Sequence, residues 1–144
     1  MEWLKNVVDY GVISLLVLLS IIAVSCAIER YLTFRRINLD DSPDKKSLEL
    51  DLTAKLHLIA SISSNAPFIG LLGTVLGIML TFATMGQEGF MDTSKVMVGL
   101  ALAMKATAAG LCVAIPSTVL YNLLLRRVKV LMFRWEIMNG RKGV

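Results

Sequence analysis

Three polar side chains in apolar surroundings are the best placed here to do chemistry. Lys105 is the single charge inside the thirty-residue run from Val96 to Leu125, and Thr74 and Thr107 each lie in a glycine- or alanine-rich segment. An ionisable group at membrane depth is a functional site by default, because a charge in hydrocarbon needs a partner or water. Two plainer readings of Lys105 stand beside that one: its stem can carry the ammonium to the outer interface, or it can pair structurally with an acid on another chain. A threonine hydroxyl can bond back to the carbonyl one turn earlier and so needs no function. The small residues around Thr74 and Thr107, however, would let water or a partner helix reach their hydroxyls.

Other chemistries are poorly supported. His57 is the single histidine, which excludes a histidine-based metal cluster, and no CxxC, HExxH, GxSxG or phosphate-loop pattern occurs. Cys26 and Cys112 both fall in apolar stretches, where they read as small hydrophobes rather than a disulfide or metal pair. Neither an enzyme nor a cofactor or metal is expected. No acidic residue occurs within the apolar runs, so any proton movement would need a carboxylate supplied by another chain.

The elements that must position these residues follow from composition. Of 144 residues, 56% are hydrophobic and only 18% charged, and the charges lie in blocks between long uncharged stretches. That pattern points to an all-α membrane protein rather than a soluble domain. The net charge of +4 has a simple source in cytoplasmic lysines and arginines, so nucleic acid is not an expected partner. Residues 11–28, flanked by Tyr10 and Tyr31, predict a first span; residues 67–85, with Pro67 at the first helical turn, a second; residues 96–125, followed at once by Arg126 and Arg127, a third. The first run lacks a small-residue cleavage site before Glu29 and is expected to stay attached.

Outside the spans, lysine and arginine number one before the first, six in residues 29–66, one in the loop before Val96, and six from Arg126 onward. The positive-inside rule therefore predicts an outer N-terminus, a cytoplasmic loop at 29–66 and a cytoplasmic tail at 126–144, all in one membrane domain covering 1–144.

In the loop, Asp40-Asp41-Ser42-Pro43-Asp44 predicts a helix that starts at Pro43 with Ser42 as its cap. Leu48, Leu52, Leu56, Ile59 and Ile62 then recur at helical spacing and predict an amphipathic helix running into the second span. The alternation over residues 48–52 also fits a short strand, but a lone strand would have no partner. Val128, Leu131, Trp135 and Met138 carry a stripe beyond the third span, predicting a rod on the order of 60 Å from Val96 to Met138. The two stripes are expected to bury one another, within a chain or between copies. Gly70, Gly73, Gly77 and Gly110 suit close helix packing in lipid, with Pro116 alongside them. Three spans make a thin bundle, so a homo-oligomer is expected.

Two ordered motifs carry a family resemblance. Residues 66–79 (APFIGLLGTVLGIM) and residues 99–122, with Thr107-Ala108-Ala109-Gly110-Leu111, Ala114-Ile115-Pro116 and Tyr121-Asn122, resemble the second and third spans of the MotA/TolQ/ExbB proton-channel family. Three spans with an outer N-terminus resemble its ExbB and TolQ branches, ExbB before TolQ, rather than the four-span MotA branch. The resemblance implies a pentameric ring in the bacterial inner membrane whose second and third spans surround the helices of a single-span ExbD-like partner carrying the essential aspartate. Proton flow would then pass work to a TonB-like protein, or in the TolQ reading to a Tol-type system; a non-conducting scaffold is the alternative of another class. By position, Thr74 and Thr107 match the family's pore-facing threonines. Leu102 occupies the place where many members have glutamate, with Lys105 one turn further on. The chain is short for the family, chiefly in its cytoplasmic parts.

Overall fold

Peptide groups in an uncharged run bound for hydrocarbon must bond among themselves, which a helix achieves within one segment. The computed structural model describes residues 2–41 and 43–141, and its long elements are all helices: α1 (Glu2–Arg36), α2 (Lys45–Thr53), α3 (Leu56–Glu88) and α4 (Thr93–Arg141), with a short 3₁₀ turn at Leu39–Asp41. Three of them, α1, α3 and α4, are long and apolar enough to cross a membrane. Each contains one expected span and outruns it at one or both ends. The 49 residues of α4 reach about 74 Å at 1.5 Å per residue. Many large apolar side chains, Leu18, Leu72 and Val119 among them, are exposed on this bundle. Such a surface suits lipid or further protein chains rather than water.

Pro67 does not stand at a first helical turn. It lies inside α3, whose helix begins eleven residues earlier at Leu56. The preceding amphipathic segment is already helical and runs straight into the apolar run, so the proline falls in the helix interior, where it forgoes one backbone hydrogen bond. Pro116 likewise lies within α4.

The loop helix starts later than expected. Its cap is Asp44, whose carboxylate accepts from the Ser47 N–H at 2.6 Å, and the helix begins at Lys45. Ser42 lies outside the described residues. The Asp44 side chain reaches the free donors of the first turn as a serine would, with the added attraction of the helix dipole for a negative charge. The hydrogen bond from Ser47 holds the Asp44 carboxyl below its ordinary range.

The amphipathic stripe is also not one helix. Ala54 is extended and Lys55 is left-handed at φ 66°, so the chain bends between α2 and α3. Without the bend, α2 would continue along the axis of α3; with it, α2 lies against α4. All five stripe residues are nevertheless buried: Leu48, Leu52, Leu56, Ile59 and Ile62. Leu48, Leu52, Leu56 and Ile59 join Phe34 of α1 and Leu124, Val128 and Leu131 of α4 in one core, with Trp135 partly buried against it. The two stripes thus bury one another within a single chain.

This core predicts a sharp contrast between neighbours. Leu52→Ala removes a fully buried side chain and is expected to cost about 2–5 kcal/mol. Leu50→Ala changes a side chain that is 73% exposed and is expected to leave stability nearly unchanged. Thermal unfolding of the purified protein in detergent checks this, and equal midpoints for the two variants would contradict the core.

Gly89 ends α3. It is left-handed at φ 79°, and its N–H bonds the Met85 carbonyl at 3.2 Å, closing the helix at little cost because glycine lacks a Cβ. Asp92 then starts α4, its carboxylate accepting from the Ser94 N–H at 3.0 Å and its carbonyl from Val96 at 3.1 Å.

Candidate functional site

The site lies on the seam between α3 and α4, where small residues bring two backbones close. A Cβ on Gly110 would stand 2.6 Å from the Ala66 carbonyl oxygen, and one on Gly70 would stand 2.7 Å from that of Ala106. Gly73 and Gly77 face Ala106 and Ala103, whose Cβ atoms an added methyl would approach to 2.8 and 2.9 Å. At such separations a side chain can reach the neighbouring helix's carbonyls as readily as its own.

Thr74 and Thr107 use that proximity. Their hydroxyls bond each other directly across the seam. The Thr74 hydroxyl is also 3.2 Å from the Gly70 carbonyl on its own helix and 3.0 Å from the Ala103 carbonyl on α4. The Thr107 hydroxyl lies 3.5 Å from the Gly70 carbonyl. Two hydroxyl protons therefore serve more acceptors than there are protons. In one arrangement Thr107 donates to Thr74 and Thr74 to a carbonyl; in the other Thr74 donates to Thr107 and Thr107 to Gly70. The pair can reverse its direction of donation without moving a heavy atom, which is what a proton relay or an adaptable donor requires. The remaining hydroxyls are simpler: Thr81, Thr84, Ser117 and Thr118 each bond the carbonyl four residues back.

Lys105 does not join the threonines. It is exposed, and at about 100° per residue it projects about 160° away from Thr107 on α4. It forms no ion pair with an acidic side chain among the described residues. Leu102 is 37% exposed and turns toward α1, lining a crevice with Ala103. Cys26 is buried in the core that holds Leu48 and Leu131, and Cys112 is exposed.

Two charged groupings were not singled out in the sequence. Asp9 and Lys5 of α1 line the same crevice as Leu102. Their spacing of four residues put them on one helix face, but the uncharged run that set the first span begins only after them. At the other end of α1, Arg30 is buried and donates at 3.1 Å to the Asp51 carbonyl in the last turn of α2. Glu29 beside it accepts from Lys55 at 2.7 and 2.8 Å, and that hydrogen bond holds its carboxyl below the ordinary range. This clamp grips the left-handed residue at the bend. Nothing in the sequence marks it, because its partners are 26 residues apart.

Residues 35–137 match the MotA/TolQ/ExbB proton channel family. The chain is 50% identical over 140 residues to the biopolymer transport protein ExbB of Aquifex aeolicus, covering 97% of this chain and 95% of that protein. It is 51% identical over 136 residues to the putative biopolymer transport protein ExbB-like 2 of Helicobacter pylori strain 26695, covering 94% of this chain and 91% of that one. With the ExbB of Helicobacter pylori strain J99 the identity is 48% over 139 residues, 96% of each chain. Its length, short as it is for the family, is therefore shared with these relatives.

Proposed function

The chain belongs to the MotA/TolQ/ExbB proton channel family, and from that premise we propose that it is the ring-forming, ExbB-type subunit of a proton-driven motor serving biopolymer transport. It is a multi-pass inner-membrane protein and not an enzyme. Five copies assemble around the transmembrane helices of a single-span ExbD-like partner, which brings the titrating carboxylate that these spans lack. A TonB-like protein receives the work. The bias of lysine and arginine supports an outer N-terminus, with the Leu48–Leu131 core on the cytoplasmic side. The chain acts as one membrane domain over 1–144.

The observation that carries this reading is the Thr74–Thr107 hydroxyl pair in the glycine seam. In the ring, this pair supplies reorientable donors next to the partner's aspartate, passing or orienting a proton as that carboxylate changes charge. Gly70, Gly73, Gly77 and Gly110 hold α3 and α4 close enough for the pair to exist.

The native mass of the detergent-extracted complex, coexpressed with a single-span ExbD-like protein, tests the assembly. Five copies with the partner retained is the expected result. A monomer or dimer without partner, persisting through several gentle detergents, would refute the ring.

Lys105 contributes separately, from the α4 face turned away from α3: in the ring it reaches the partner's carboxylate from a neighbouring copy rather than beside its own threonine pair, and there it favours the ionised form of that carboxylate. Lys105→Met is then expected to move the pH profile of proton uptake to higher pH, since losing a nearby positive charge makes a carboxyl easier to protonate. An unmoved profile would assign Lys105 to the outer lipid interface instead.

A further inference from the structure

Charged side chains gather at the end of the bundle where α1 begins and continue inward along one face of that helix. A cavity of about 360 Å³ opens there between the three long helices, and Lys5, Glu88 and Lys95, one from each helix, line it with the hydroxyl-bearing Thr81 and Thr84. Lys95 and Glu88 pair at 3.2 Å. Lys5 also lines a narrower crevice of about 10 Å³, room on the order of one water molecule. One turn further along α1, Asp9 is the acidic side chain of that crevice, set among Gly73, Leu102 and Ala103.

These walls belong to the threonine site as well. Gly73 immediately precedes Thr74, and the Ala103 carbonyl is the 3.0 Å acceptor beside the Thr74 hydroxyl. The crevice that Asp9 lines from α1 thus shares Gly73 and Ala103 with the surroundings of the threonine pair. Asp9 is partly buried. In that position, beside Lys5, it offers a carboxylate to water that enters the crevice. The crevice is too narrow for a hydrated metal ion, and Lys5 already places a positive charge at its mouth. What fits is a proton carried on water.

We infer that Asp9 is a proton-binding site at the outer inlet of the channel, with Lys5 setting its charge balance. The inference rests on the proton-channel reading above. Hydronium in the outer cavity gives a proton to the Asp9 carboxylate, leaving water and a neutral acid. The acid returns the proton to water in the crevice, regenerating carboxylate and hydronium beside Gly73 and Ala103. Among the described residues, the titratable group facing Asp9 in the crevice is Lys5, on its own helix; α3 and α4 present apolar walls there, and their Glu88 and Lys95 stand in the outer cavity.

The test uses the complete complex with its single-span partner in proteoliposomes, reading proton uptake with an internal pH dye as the outside pH is varied. Asp9→Asn is expected to slow uptake at least tenfold and to flatten its dependence on outside pH, with Asp9→Glu restoring both. Lys5→Met is expected to shift the profile, because it removes the positive charge that lines the crevice beside Asp9. An unchanged rate and profile in Asp9→Asn would overturn the inlet while leaving the channel reading standing on wild-type uptake. If the wild-type complex carries no protons, both fall. Should Asp9→Asn not assemble by native mass, the Lys5→Met profile decides, and an unmoved profile overturns the inference.

Discussion

The double substitution Thr74→Val with Thr107→Val is expected to stop proton uptake and leave the assembled complex intact. Valine keeps the branched shape of threonine and removes both hydroxyls, so the seam between α3 and α4 loses its reorientable donors but not its packing. Hydrogen bonds between membrane helices are worth about 0.6 kcal/mol on average, a small loss against a whole interface. A positioned proton-transfer group, by contrast, contributes on the order of 100-fold or more to rate. Uptake in proteoliposomes and native mass, measured on one preparation, separate the two effects. Thr74→Ser, which keeps a hydroxyl at the same place, is expected to retain most activity. Normal uptake in the double variant would refute the relay and favour a scaffold role, in which packing residues alone matter.

Gly110→Leu is expected to do the reverse, breaking the structure before the chemistry. Its Cβ would sit 2.6 Å from the Ala66 carbonyl oxygen and 3.0 Å from the Gly70 Cα, and both are backbone atoms that no rotamer change can move. The helices would have to separate, which also parts the two threonines. Overpacking commonly costs about 1–3 kcal/mol, and a clash with the α3 backbone at two residues belongs at or above the upper end of that range. Gly86 is the control, since nothing lies within 4 Å of a Cβ built there. Gly86→Ala is expected to be neutral or to gain a fraction of about 1 kcal/mol from helix propensity. The thermal midpoint and yield of the complex in detergent report both. A Gly110→Leu complex as stable as wild type would mean that α3 and α4 do not meet at this seam.

Some of this protein was open to reading in the chain itself. Runs without charge fixed which segments are long apolar helices, because hydrocarbon leaves the backbone no partner but itself. The leucine stripe at 48–62 and the stripe beginning at Val128 announced a core, because helical periodicity depends only on order along the chain. Thr74 and Thr107 stood out by their glycine- and alanine-rich surroundings and by the family motifs around them.

Relations across the chain were another matter. That the two threonines bond each other and that Asp9 shares a crevice with Leu102 both depend on how the helices are rotated about their axes. Rotation is set by close packing of glycine and alanine against backbone, and no spacing rule within one helix encodes it. The bend at Lys55 was equally hidden, since the buried stripe keeps the same period on both sides of it. Length and apolarity, which are local, were determined by the sequence alone. The seam, the crevice and the clamp at the bend join residues 21 to 98 positions apart, and only the tertiary packing of α1, α2, α3 and α4 brought them together.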